Sequence, residues 1–421
     1  MKNFTTDTYE IKRKIIQFAT KITNEVGQVE KKFVQDIIYG ISKSKSILLS
    51  DISDSLMESI NKVNTVERLS NNLMKDISNS VSKNYQTQVL KSINMNDPVI
   101  LVDDSDVIKP YGNKFDSLGF VRDGSSRKNS CEKGYKVTEM VALTQNKKQP
   151  ISLFSRIHSA KEKEYKSTNT VTFEGLTSVI NTINTINTRG TFIFDRGYDM
   201  NDLFKFMYMQ KQDFVVRLTE RRKIFFKGKW YKSTTLRDSR KGKIKTKVLF
   251  QGEEKECYIS HINCQITAAK KNMYLVLIYG LSQTPMMLAT NKIIKCKEDV
   301  VKILRLYMSR WRIEEYFRFK KQEYGFENFR VRSLKSINNL NQLLTYTIGM
   351  LGILADNIGT KRLSNNLIMN SKAFKKKALF YYYQMARGIS RTLAYARSGI
   401  KEWQNIRKFS PIYQLYFKLT I

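Results

Sequence analysis

The sequence predicts a mixed α/β protein whose sheet-forming middle is flanked by helical regions, and three observations carry that reading. Apolar residues recur at helical spacing over the first 92 residues. Short apolar runs of strand character follow between residues 99 and 218. A stretch of short β segments then runs from 219 to 292, and from about 298 the pattern returns to helix. In order, these give a helical N-terminal region (1–92), a first α/β part (93–218), a β-rich stretch (219–292), a segment carrying one charged helix (293–335) and a helical C-terminal region (336–421).

In the first region Ile11, Ile15, Phe18, Ala19 and Ile22 fall on one helix face, as do Phe33, Val34, Ile37, Ile38 and Ile41. The segment ILLSDISDSLMESINKVNTVERLSNNLMKDI pairs two short amphipathic helices across a polar turn. That suits a helix-turn-helix-like DNA reader and is equally compatible with plain helix packing. Residues 99–102 read as a buried strand that ends in the acidic run Asp103, Asp104, Ser105, Asp106. Further strands are expected at 135–143, 151–155, 192–194 and 214–218, with a helix at 173–186. The β-rich stretch breaks into segments near 223–226, 229–231, 247–250, 258–260 and 273–279, with Gly228 at a hairpin turn. The longest apolar run, near 343–355, is too short and too interrupted to span a bilayer, and reads as a buried helix.

Composition narrows the function classes. Lys and Arg number 73 against 38 Asp and Glu, a formal charge of +35 that implies a polyanionic partner. The basic residues are spread along the chain, with groups at 12–14, 221–229 and 375–377, so nucleic acid fits better than a single membrane anchor. The opening residues MKNFTTDTYE lack the apolar core of a secretion signal, and a cytoplasmic protein is expected. Cysteines 131, 257, 264 and 296 form no CxxC pair, and His158 and His261 are the only histidines, which argues against a disulfide framework and a zinc site. If the chain is an enzyme, carboxylates carry the reaction.

Taken as one helix at 100° per residue, LRLYMSRWRIEEYFRFKK places Arg310, Glu314 and Lys321 at about −60°, −20° and −40° from Tyr307. Four polar groups therefore share one stripe, while Leu306, Ile313 and Phe317 form an adjacent docking face. Glu315 points about 100° away from Glu314, and Trp311 lies about 80° off the stripe, where it reads as core. A solvated charged face would show the same spacing. Asp103 and Asp195 each directly follow an apolar strand, where a rigid element would present a carboxylate at the sheet edge; a turn or helix-capping role competes at each. Three acids without histidine or cysteine suit a hard cation such as Mg²⁺ or Mn²⁺.

These residues resemble a known family. Tyr307, Arg310, Glu314 and Lys321 match in spacing the Y-R-E-K signature of bacterial insertion-sequence transposases of family four, a DDE group. The segments PVILVDDSD, FIFDRGYD and PMMLATN lie where that family carries its first aspartate, its second aspartate and the end of its β-rich insertion. The resemblance implies an RNase H-like catalytic core interrupted by a β-rich insertion, with an α-helical DNA-binding domain before it and a helical region after it. It implies Asp103, Asp195 and Glu314 as a triad for two Mg²⁺ or Mn²⁺ ions, with Asp104 the alternative first member. Tyr307, Arg310, Lys321 and Arg217 are implied as contacts to DNA phosphates. Some relatives stack a tryptophan of the insertion on a flipped base during hairpin formation; the matching residue here is Met286, with Trp230 an alternative elsewhere in the insertion. The implied partners are the terminal inverted repeats, target DNA and a second copy of the chain in a synaptic homodimer, for a protein associated with the bacterial nucleoid. Two competing readings are an inactive relative acting as a DNA-binding regulator and an unrelated carboxylate enzyme such as a glycoside hydrolase.

Overall fold

The computed structural model describes residues 4–122, 130–250, 252–266, 271–372, 379–401 and 404. The basic group at 375–377 and the last part of the expected helical C-terminal region lie outside the described residues. The chain opens with helices α1 (Phe4–Ile22), α2 (Gln28–Ser44), α3 (Leu49–Leu56), α4 (Lys62–Leu73) and α5 (Asn79–Leu90). Strands β1 (Val99–Ile108), β2 (Gly119–Arg122), β3 (Cys131–Leu143) and β4 (Pro150–His158) follow, then α6 (Thr168–Asn184), β5 (Thr191–Phe194), α7 (Asn201–Met209) and β6 (Asp213–Arg217). The β-rich stretch supplies β7 (Lys223–Phe226), β8 (Lys229–Lys232), a short α8 (Ser233–Asp238), β9 (Ile244–Phe250), β10 (Glu253–Ile266), β11 (Asn272–Tyr279) and β12 (Met286–Thr290). Helices α9 (Lys297–Met308), α10 (Trp311–Tyr324), α11 (Leu334–Asp356), α12 (Arg362–Asn370) and α13 (Tyr382–Ala394) complete it.

The strands join into one mixed sheet in the order β2-β3-β1-β5-β6-β12-β11-β10-β7-β8, with β4 beside β3 and β9 beside β10. Within it β1, β5 and β6 run parallel: Val102 pairs with Phe194, and Phe194 with Val216. The short apolar runs are the interior of this sheet, Ile100 to Val102 and Phe192 to Phe194 being fully buried. Residues 219–292 extend the same sheet, because β12 pairs antiparallel with β6. Lys227 and Gly228 both take positive φ, 48° and 78°, which closes the β7–β8 hairpin with the twist that favours such turns.

β1 is longer than the apolar run indicates. It continues through the acidic residues to Ile108 because β3 stays paired with it, Asp103 opposite Glu139 and Ile108 opposite Gly134. Its parallel neighbour β5 stops at Phe194, so β1 loses one neighbour at Asp103. That opening, not a strand end, is where the carboxylate becomes accessible.

The predicted helix faces are buried as expected, Ile11, Ile15 and Ile22 on α1 and Val34, Ile37 and Ile41 on α2 all being inaccessible. The N-terminal helices pack on the C-terminal ones: Thr8 donates to the Thr392 carbonyl at 2.9 Å, and Arg362 pairs with Asp7 at 3.1 Å. The apolar run at 343–355 is the core of α11, on which Gly349 leaves room for the Tyr85 ring; a Cβ there would stand 2.3 Å from the Tyr85 hydroxyl, which donates to the Ser152 carbonyl. No helix of the described residues is long and apolar enough to cross a membrane.

Candidate active site

The parallel strands set up the site. Asp103, Asp195 and Arg217 each stand one residue beyond the last paired triple, Val102, Phe194 and Val216, so they form a row across three neighbouring strands. Parallel strands lie about 4.8 Å apart, which puts the two aspartates side by side. Asp195 also closes a turn: its Oδ1 accepts the Gly197 N–H at 2.7 Å at the start of the 3-10 turn Arg196–Tyr198. The capping role and the sheet-edge placement hold together in one residue. Arg217 makes no ion pair or side-chain hydrogen bond with the described residues.

Alternation along β1 separates its two candidate aspartates. Asp103, Glu139 and Ser155 lie on the sheet face covered by α10 and α11. Asp104 lies on the opposite face, where α6 packs, and its Oδ1 accepts the Thr138 hydroxyl at 2.6 Å. Since that hydroxyl gives its proton to Asp104, its oxygen accepts from His158 Nε2 at 2.9 Å, leaving His158 Nδ1 bare and buried. Burial, with the charges of Arg156 and Lys136, lowers the His158 pKa to about 4. The Tyr198 hydroxyl is near Asp104 without closing a well-formed hydrogen bond.

Glu314 sits in the first turn of α10 with its side chain half-exposed. The expected single helix is broken between Tyr307 and Lys321. The Ser309 hydroxyl donates to the Leu306 carbonyl at 2.6 Å, and the Arg310 N–H turns to Tyr307, so one tight turn separates α9 from α10. Simple 100° arithmetic therefore fails across residues 308–311. Arg310, in the turn between the two helices, still reaches Glu314. One guanidinium nitrogen meets Asp103 Oδ2 at 3.0 Å and the other meets Glu314 Oε1, tying β1 to α10. Tyr307, buried at the end of α9, is close enough to add to the field at Arg310.

Glu315 turns away and pairs with Arg318. Lys321 shares the face of Glu314, but its ammonium donates to the Asp106 carbonyl and pairs with Glu327 at 3.2 Å. Trp311 is half-buried, with the Arg312 guanidinium 5.1 Å over its ring, so it is not the core residue the helix arithmetic implies. Met286 is buried in the sheet opposite Ile278, and it presents almost no surface for stacking, 4%. Trp230 is 49% exposed on β8, the last strand in the sheet order, and rests on Phe225.

The electrostatics favour a cation. Burial raises the Asp103 pKa to about 7, Arg310 opposing and the like charge of Asp195 adding to it. Burial also raises Asp104. Among the described residues no three His, Cys, Asp or Glu side chains stand close enough together to hold a metal ion. The positive charge here comes instead from Arg310, lodged between two of the three carboxylates. A donor set of carboxylates alone, one of them buried beside another, fits a hard divalent cation in chemistry.

Two groups escaped the sequence reading. One is the Thr138–His158 pair behind Asp104, which only the strand register reveals. The other is Lys320, fully buried and paired with Glu139 at 2.9 Å. It had a signal: at 100° per residue Lys320 falls within the apolar face of Ile313, Tyr316 and Phe317.

Carboxylates set where the parallel pairing of β1 with β5 stops, with a third on a packed helix, define an acid-based site on an α/β sheet. Residues 95–348 match the family described as the transposase DDE domain, and the chain belongs to that family. No curated protein matches it.

Proposed function

We propose that this transposase binds the inverted repeats at the ends of a mobile element, cleaves them and joins them to target DNA, with Asp103, Asp195 and Glu314 as its reactive carboxylates. The observation that carries this reading is the bridge of Arg310 to both Asp103 and Glu314, which brings residues 211 apart in sequence to one cation. The sheet face chosen by Asp103 supports it over Asp104 as the first member. The Y-R-E-K spacing supports membership of insertion-sequence family four, and with it an RNase H-like core, a β-rich insertion and a cut-and-paste route.

The three carboxylates would hold Mg²⁺ or Mn²⁺, two ions per site, which when bound supply an activated oxygen nucleophile and neutralise charge on the leaving oxygen. In the first reaction a bond forms from water oxygen to phosphorus as the P–O3′ bond breaks; in the second the freed 3′-hydroxyl displaces a 3′-oxygen in target DNA. The chain's own groups orient these steps. Asp103 and Asp195 are held rigidly by paired β1 and β5. The Arg310 fork, once relieved of its carboxylates, suits a phosphate, and the Tyr307 phenol and the Lys321 ammonium, on leaving Glu327, would join it there. Arg217, in the row beside Asp195, is free to meet DNA. If a base is flipped, Trp230 has the exposed ring that Met286 lacks. The outward face of α4, with Lys62 and Asn64 exposed, supports DNA reading by the α3–α4 pair. Joining two ends calls for a homodimer on DNA.

Glu314→Gln is expected to abolish strand cleavage of duplexes carrying the repeats that flank the gene, while electrophoretic mobility shifts show binding within threefold of the wild type. Cleavage at the wild-type rate would sink the assignment.

A further inference from the structure

We infer that the buried Lys320–Glu139 ion pair is a positioning device that sets the seating of Glu314 against Asp103. Lys320 and Glu139 are both fully inaccessible, with Nζ 2.9 Å from Glu139 Oε2. Lys320 also donates to Asn341 Oδ1 at 2.9 Å, and its ammonium sits 4.6 Å over the Phe326 ring. Ser155 completes the cluster, donating to Glu139 Oε2 at 2.8 Å and accepting from Asn341 at 2.8 Å. Four elements, β3, β4, α10 and α11, thus meet on one charge pair.

Its location argues for a role beyond cohesion. Glu139 is directly opposite Asp103 in the β1–β3 register and on the same sheet face. Lys320 lies six residues after Glu314 on the same helix, about 9 Å along its axis. The pair therefore ties the helix that carries one reactive carboxylate to the strand position beside another. The Arg310 bridge fixes the near end of α10, but it must open if phosphate is to take Arg310. Lys320 and Glu139 hold the helix from within, away from the DNA.

Its chemistry argues the same way. A buried ion pair is seldom more stable than an apolar pair of equal volume, because both charges lose their water. Here the cost is aggravated, since Glu139 Oε1 has no hydrogen-bond partner among the described residues. What a charge pair provides and an apolar pair does not is a directed contact with one geometry.

The inference rests on the reading of Asp103 and Glu314 as reactive groups. The test is the full-length double variant Lys320→Met/Glu139→Leu, compared with wild type for thermal unfolding, affinity for repeat-bearing duplex and single-turnover cleavage in Mn²⁺. The variant is expected to stay folded, with Asn341 still donating to Ser155, and to bind DNA within threefold. It should cleave about 10- to 100-fold more slowly, as a displacement of about 1 Å does to a reacting geometry. Cleavage within threefold of wild type by the folded variant would overturn the inference. Should circular dichroism show that it does not fold, Glu139→Asp replaces it: a retained charge one methylene shorter predicts a lower cleavage rate at unchanged KM for DNA, and an undiminished rate overturns the inference. Glu314→Gln, run beside them, separates the two ideas, because full activity of that variant removes the reading beneath whatever Lys320 does.

Discussion

Asp103 and Asp104 are chemically identical neighbours whose environments differ by one step of the pleat. The first meets Arg310 and the Glu314 helix; the second is held by Thr138 on the far face. Asp103→Asn is therefore expected to lose cleavage by about 10²- to 10³-fold, the range for removing one group that stabilises the transition state, while Asp104→Asn keeps most of it; gel-resolved nicking of repeat-bearing duplexes decides, and a dead Asp104→Asn beside an active Asp103→Asn reverses the order. His158, behind Asp104, predicts a pH effect on stability. Its folded pKa is lowered to about 4 from 6.5, so the unfolded chain takes up the proton first as pH falls. Stability is intact above pH 6.5 and is lost between 6.5 and about 4, by on the order of 3 kcal/mol at about 1.4 kcal/mol per unit. Urea titrations of wild type and His158→Gln should show a flatter pH dependence for the variant; parallel curves would remove His158 from the account.

Among the elements, the α9–α10 pair shows what spacing conveys and what it omits. Residues four apart on the stripe do meet, Arg310 with Glu314 by direct contact. The break between the helices was illegible because it comes from a serine hydroxyl competing for the Leu306 carbonyl, with no proline or glycine to announce it. The extent of β1 was misread for a related reason: apolar content marks burial, whereas the acidic half of the strand is held by its pairing to β3. Helix α11 was legible as buried, but its fit to Tyr85 was not. Gly349→Ala would push a methyl group into the Tyr85 hydroxyl and is predicted to destabilise the protein by about 1–3 kcal/mol, the usual cost of overpacking. A lowered denaturant midpoint checks this, and an unchanged one would show that Tyr85 yields freely.

At the scale of the whole molecule, the α/β class and most elements were readable because alternation and helical spacing are local, while the joining of the β-rich stretch to the main sheet through β6 and β12 depends on long-range pairing. The charge of +35 was readable outright and predicts steep salt dependence. Affinity for duplex DNA should fall by about 10³-fold between 50 and 200 mM salt, as for a protein neutralising six or more phosphates; a shallow slope in fluorescence anisotropy would mean that few of the charges meet DNA. Whether Asp103 on β1, Asp195 just after β5 and Glu314 on α10 together cleave DNA is decided by incubating wild type, Asp195→Asn and Glu314→Gln with a duplex carrying the flanking repeats and mapping the products in Mg²⁺, in Mn²⁺ and with chelator. Wild type is expected to leave nicks with a 3′-hydroxyl at the repeat end with either metal, and none with chelator; neither variant is expected to nick. Equal nicking by Glu314→Gln, or nicking that persists in chelator, would contradict it.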